Sequence, residues 1–149
     1  MNTLKGLFQI TLPVRGYEID VYGHVNNAVY LQWLEQARWD WSRTHKMGIE
    51  HEDVLSVVRH LELDFRHEVL FGDVVEITLW PRQPKNTSMI VGAQIKIIQS
   101  DKPQHVGQVA LNAQMVLATI HKQGGGKAPL PQRWRDFFPD KDPGPAPLD

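Results

Sequence analysis

The chain has 149 residues, 42% of them hydrophobic, with a formal net charge of −1 and a pI near 6.6. That length closes one domain around a real core, and the near-neutral balance excludes the broad positive field with which nucleic-acid binders neutralise phosphates. With no cysteine there is no disulfide framework, thiolate metal site or cysteine nucleophile, a composition suited to a reducing cytoplasm. No stretch approaches the roughly 20 apolar residues of a membrane span, and Met1 to Phe8 lacks the pattern of a secretion signal, so the whole chain reads as soluble and mature.

Residues 7–15, Leu-Phe-Gln-Ile-Thr-Leu-Pro-Val-Arg, are rich in apolar and β-branched types and predict a first strand. Pro13 cannot donate to a ladder, which confines it to an edge or a strand end. After the loop from Gly16 to Gly23, Tyr30, Trp33, Leu34, Ala37 and Trp41 recur at helical spacing and predict an amphipathic helix over about residues 27–45. Asn26 or Asn27 is the natural N-cap, because a short side-chain oxygen accepts from the unpaired first-turn amides. Gly48 falls where a helix stop belongs. Trp39 lies almost opposite the apolar stripe, which calls for a sheet that wraps the helix widely or a second subunit over it.

From Val54 the period changes to two: Val57, Leu61, Leu63 and Phe65 alternate against Val58, His60, Glu62, Asp64 and Arg66, predicting a strand with one wet or functional face. Residues 73–81 and 88–99 predict a hairpin across the turn at 82–87. A last strand is predicted from His105 to about Lys122, with Val109, Leu111, Ala113, Met115 and Leu117 on one face. Gly124-Gly125-Gly126 ends the meander and divides a domain at 1–123 from a tail at 124–149. Six of the ten prolines lie in that tail. Only residues 132–138 could dock there as a short helix, and 140–149 are expected to be disordered. One long helix after a first strand, followed by four more strands, is an α+β pattern in which an antiparallel sheet packs on a helix.

The chemistry concentrates between Tyr17 and Asn27. A carboxylate (Asp20), an imidazole (His24), two amides (Asn26 and Asn27) and a flexible Gly23 all fall just before the helix start. A helix N-terminus offers unpaired N–H groups and the positive end of the macrodipole, which suit an anion or a carbonyl oxygen gaining negative charge. A carboxylate from the preceding loop could then attack that carbonyl or activate a water. The same residue types also serve as ordinary loop and capping residues. His24 could orient the acid, bond the substrate or pin the loop, and His60 with Glu62 shares a strand face that could line a site. The seven histidines include no His-x-x-x-His on a helix, so no metal site is predicted. No serine sits in a Gly-x-Ser-x-Gly elbow, and the glycine run lacks the lysine and hydroxyl of a phosphate-binding loop, which removes serine hydrolases and nucleotide hydrolases.

The segment Val14-Arg-Gly-Tyr-Glu-Ile-Asp-Val-Tyr-Gly-His-Val-Asn-Asn-Ala-Val-Tyr-Leu-Gln-Trp-Leu-Glu-Gln-Ala-Arg-Trp-Asp40 closely resembles the hotdog thioesterases of the 4-hydroxybenzoyl-CoA thioesterase superfamily. Within it, the run is most similar to bacterial long-chain acyl-CoA thioesterases of the FadM type. Its Asp-x-x-x-His-Val-Asn-Asn-x-x-Tyr core also resembles plant acyl-ACP thioesterases. A looser likeness runs through residues 57–73, where Phe65 and Gly72-Asp73 fit the family pattern and His67 stands in place of its proline.

The resemblance implies a hotdog fold, with a long helix wrapped by a curved antiparallel sheet of about five strands, in dimers or tetramers whose active site lies at the dimer interface. It implies hydrolysis of fatty, long-chain acyl-CoA without a cofactor, Asp20 acting as nucleophile or general base and the amide at Asn27 polarising the thioester carbonyl. Tyr30 and Trp33 would border the acyl tunnel. Arg82 and Lys85 would meet the CoA phosphates, with Lys96, Lys102 and Lys127 behind them. The competing expectations are a non-catalytic hotdog module that binds acyl thioesters or scaffolds a partner, and a thioesterase for aromatic acyl-CoA or acyl-ACP. A hotdog dehydratase would need a His paired with a Gly-x-x-Pro-Gly turn, which the chain does not have.

Overall fold

The computed structural model describes residues 4–47 and 51–148. The elements run β1 (Phe8–Pro13), α1 (Asn27–Thr44), β2 (Val54–Phe65), β3 (Val74–Pro84), β4 (Ser88–Gln99), β5 (Val109–His121) and α2 (Gln132–Arg135), with 3₁₀ turns at Gly16–Glu18 and Pro103–His105. The five strands form one antiparallel sheet in the order β1-β3-β4-β5-β2. Pro13 ends the edge strand β1, where its missing N–H costs no ladder bond. The helix stop expected at Gly48 lies outside the described residues. His105, expected to open the last strand, sits instead in the preceding 3₁₀ turn, whose first residue is Pro103. No helix among the described residues is long and apolar enough to cross a membrane.

Strand register sorts the side chains into rows that face or avoid α1. Ile10, Ile77, Ile95, Leu111 and Phe65 form one row across all five strands on the helix side. The row beside it, Gln9, Thr78, Gln94, Asn112 and Asp64, is polar and faces the other way. Against the apolar rows α1 buries Tyr30, Trp33, Leu34, Ala37 and Trp41. Each large apolar side chain so buried contributes about 1.5–3 kcal/mol before conformational entropy is charged against it.

The alternation expected along β2 slips once. A bulge at Arg59 shifts the register between Val58 and His60, so Val58, opposite the buried Leu117, joins Leu61, Leu63 and Phe65 on the helix side. The extra residue costs the strand one pairing step and reverses its phase. His60 and Glu62, paired with Val116 and Gln114, point away from the helix.

The C-terminal segment is docked. Trp134 and Phe138 are buried, and Leu130 donates to the Asn86 carbonyl at 2.9 Å. Beyond them, where disorder is expected from composition, Asp142 pairs with Arg82 at 2.9 Å and the Gly144 carbonyl accepts from Trp80 Nε1 at 3.1 Å. Proline denies this stretch a ladder of its own, but β3 supplies partners for it. The Trp80 ring lies directly over Gly92 on the neighbouring strand, where a Cβ would come within 2.3 Å of it.

Candidate active site

Residues 18–26 form a small hairpin just ahead of α1. Asn26 donates to the Glu18 carbonyl at 2.9 Å, Ile19 bridges Val25, and Asp20 donates to the His24 carbonyl at 2.8 Å. Gly23 closes the tip with φ of +80°, a conformation that costs any residue with a Cβ about 1–2 kcal/mol. Val25 donates to the Val69 carbonyl at 2.9 Å and His24 bridges Leu70, which fastens the second arm to the segment before β3. Tyr22, at the tip, is 81% exposed.

Asp20 is half-buried on the first arm. Its Oδ1 accepts from the backbone amides of Tyr22 at 2.9 Å and His24 at 3.2 Å. Both bonds fall on one oxygen, and Oδ2 accepts none among the described residues. The carboxylate is thus held by one edge and presents the other. His24 Nε2 lies 2.7 Å from Glu68 Oε2, so the imidazole is tied to a carboxylate other than Asp20.

The hairpin leads straight into the helix. Asn26 is the N-cap: its Oδ1 accepts from Ala28 at 3.1 Å and its carbonyl from Val29 at 2.9 Å. The amide of Asn27, the first helical residue, has no acceptor among the described residues. It is an unspent donor at the positive end of an 18-residue helix, the arrangement that stabilises a developing oxyanion.

Two buried groups brace this corner. The Glu18 carboxylate accepts from the Arg15 amide at 2.7 Å, from Arg15 Nε and Nη2 at 2.9 and 3.1 Å, and from Trp33 Nε1 at 2.8 Å. Burial pushes its pKa up, but the bonds from Arg15 and Trp33 and the guanidinium charge outweigh that and hold it below the ordinary glutamate value. The Tyr30 phenol is pushed up to about 12, chiefly by burial and further by Asp73, Glu68 and Asp20, against a backbone hydrogen bond at Val69. Its ring packs edge-on against Trp33 and Phe65, both at 5.4 Å between centroids, joining the helix start to the end of β2.

The structure therefore brings Asp20, Gly23, His24, Asn26, Asn27 and Tyr30 to one corner. It does not bring the other candidates there. His60 and Glu62 bond each other at 3.2 Å on the exposed outer side of β2. Arg82 is held by Asp142 and by Gln114 and is not a free cation. Eight residues of extended strand, about 26 Å, separate it from the start of β3 beside the Asp20 hairpin. Lys85, exposed in the same turn, adds to the field that lowers the Asp142 pKa, after the hydrogen bond from Arg82. Neither Glu18 nor Glu68 stands out in the sequence as a site residue, because what each bonds is set by the fold.

A five-stranded antiparallel sheet packed on one long helix, with the polar corner at the helix start, is the hotdog fold. The thioesterase-like superfamily profile matches residues 14–138. The chain belongs to that superfamily and is in class a thioester hydrolase. It is 33% identical over 121 residues to the long-chain acyl-CoA thioesterase FadM of Escherichia coli (strain K12), covering 75% of this chain and 82% of the relative. The solved structure of Escherichia coli YbaW superposes with a TM-score of 0.70 at 28% identity, covering 89% of this chain and 99% of that one. A thioesterase of Thermus thermophilus, solved with coenzyme A and zinc, gives 0.71 at 27% identity, covering 88% and 91%.

Proposed function

We propose that this protein hydrolyses long-chain acyl-CoA to the free acid and CoA, with the thioester carbonyl oxygen bound by the Asn27 amide and the carbonyl carbon attacked by the Asp20 carboxylate, or by a water that Asp20 deprotonates, so that the CoA thiol leaves. The observation that carries the reading is the pairing of two unspent groups at one corner: a carboxylate oxygen without a donor and a helix-start amide without an acceptor among the described residues. The amide gains strength as the carbonyl oxygen becomes negative, so it favours the transition state over the substrate. Asp20 acts as nucleophile or as the base that takes a proton from water, its geometry held by the Tyr22 and His24 amides. Gly23 and Asn26 shape the turn and the cap, and His24, braced by Glu68, stands beside the thioester.

The likeness to a long-chain acyl-CoA thioesterase favours fatty acyl groups, and a Thermus thioesterase solved with coenzyme A favours CoA as the carrier. We further propose a homodimer or homotetramer working in the cytoplasm. Among the described residues β2 ends the sheet as an unpaired edge, and Val57 and Val58 on its two faces and Trp39 on the flank of α1 are 40%, 42% and 60% exposed, an edge that a second copy would cover. The deciding experiment is a panel of acyl-CoA esters from short to long chain, with aryl-CoA included, followed by release of free thiol. Turnover rising with chain length is expected, and inactivity on every ester at micromolar enzyme would overturn the reading.

A further inference from the structure

We infer that Glu18 is a positioning residue for this hydrolysis, its buried carboxylate setting the tilt of the Asp20 hairpin against the start of α1. The inference rests on the roles proposed for Asp20 and Asn27. Glu18 and Asn26 face each other at the root of the hairpin, Asp20 lies two residues up one arm, and Asn27 follows the other. Backbone bonds within the hairpin fix its internal shape and leave its angle to the helix open. The tethers that fix that angle are the Val25–Val69 bond, the His24–Leu70 bridge and the His24–Glu68 pair on one side and the Glu18 side chain on the other.

The Glu18 tether is unusually complete. Four N–H donors converge on one carboxylate, close to its full capacity of about four lone-pair sites. Two come from the Arg15 side chain and one from its backbone, just after β1. The fourth comes from Trp33, six residues or about 9 Å along α1 from Asn27. One carboxylate thus ties the strand end, the hairpin root and the second turn of the helix together. Stability alone does not require a charge here, since a well-packed apolar side chain replaces a buried ion pair at little cost. Directionality does, because only fixed acceptors dictate where the hairpin stands.

The test is a double-mutant cycle on a long-chain acyl-CoA. Glu18→Gln keeps the volume and one acceptor, and is expected to lower kcat about 10- to 100-fold with KM within about threefold, the size of effect that a displacement near 1 Å produces. In Asp20→Asn, where there is no carboxylate left to position, adding Glu18→Gln is expected to leave the residual rate unchanged. A full kcat in Glu18→Gln, or an equal loss in both backgrounds, would overturn the inference. Should Glu18→Gln fail to fold, Trp33→Phe removes one donor at nearly constant volume: kcat about 3- to 10-fold lower with an unchanged circular dichroism spectrum supports it, and unchanged kcat overturns it. The outcomes separate the two readings. An inactive Asp20→Asn beside a fully active Glu18→Gln overturns only the role of Glu18, whereas a fully active Asp20→Asn removes the catalytic assignment and this inference with it.

Discussion

The two ends of the sheet differ in how far they are closed to solvent. Where β3 begins and α1 starts, Asp20 keeps an oxygen without a donor and the Asn27 amide keeps its proton unshared among the described residues, and Tyr22 and Phe71 stand 81% and 64% exposed. At the other end, α2 closes the core with Trp134 and Phe138, His45 at the foot of α1 meets Phe137 at 4.6 Å, and Arg82 is spent on Asp142. The helix runs from the open end to the sealed one. The lesson is a division of labour: packing at the sealed end stabilises a helix whose opposite terminus can leave its hydrogen bonds unsatisfied for a substrate.

Substitutions should separate the two ends cleanly. The largest effect is expected from Asp20→Asn, which keeps an acceptor for the Tyr22 and His24 amides but removes the charge: kcat should fall about 10²- to 10⁴-fold with an unchanged melting temperature. Trp134→Ala should do the reverse, costing about 3–5 kcal/mol in a urea titration while the folded fraction keeps its specific activity. Asn27→Pro is the sharper probe of the open end. Proline is accepted at the first helical position, and Asn26 already has the extended backbone (φ −61°, ψ 137°) that a following proline requires, so the N–H is lost without disturbing the helix, and Asn27→Ala controls for the side chain lost with it. A fall in kcat of about 10²- to 10³-fold with retained helix content is expected, and full activity would remove the amide from the mechanism.

The smallest effect concerns acid. Because the folded pKa of Glu18 lies below its unfolded value, the group contributes stability above the ordinary glutamate pKa of 4.5, and that contribution is lost as pH falls through the lower folded value. Urea midpoints measured from pH 7 to 3 should therefore decline more steeply in the wild type than in Glu18→Gln. Parallel curves would show that this carboxylate is not selectively stabilised in the folded state.

The helix and its cap were legible in the sequence because Trp33, Ala37 and Trp41 repeat at one period and Asn26 precedes them. Asp20 and Asn27 were legible as candidates because acid, amide and helix start fall within one short run. The bulge at Arg59 was not, since Val57 and Val58 fit either face equally well and only the pairing with β5 decides between them. Composition misled at the tail, where prolines signal a missing ladder and say nothing of partners such as Arg82, sixty residues away. Glu18 escaped notice because its fourth donor, the Trp33 indole, comes from the helix and is adjacent only after folding.

The contact of Trp80 with Gly92 binds two distant codons into one unit of inheritance. Any side chain at 92 collides with the indole, while a smaller residue at 80 would leave a hollow that a larger residue at 92 could fill. Drift at either position is blocked unless the other changes with it, so homologues should carry the pair as Trp with Gly, or as two exchanged sizes, and seldom as a mixture.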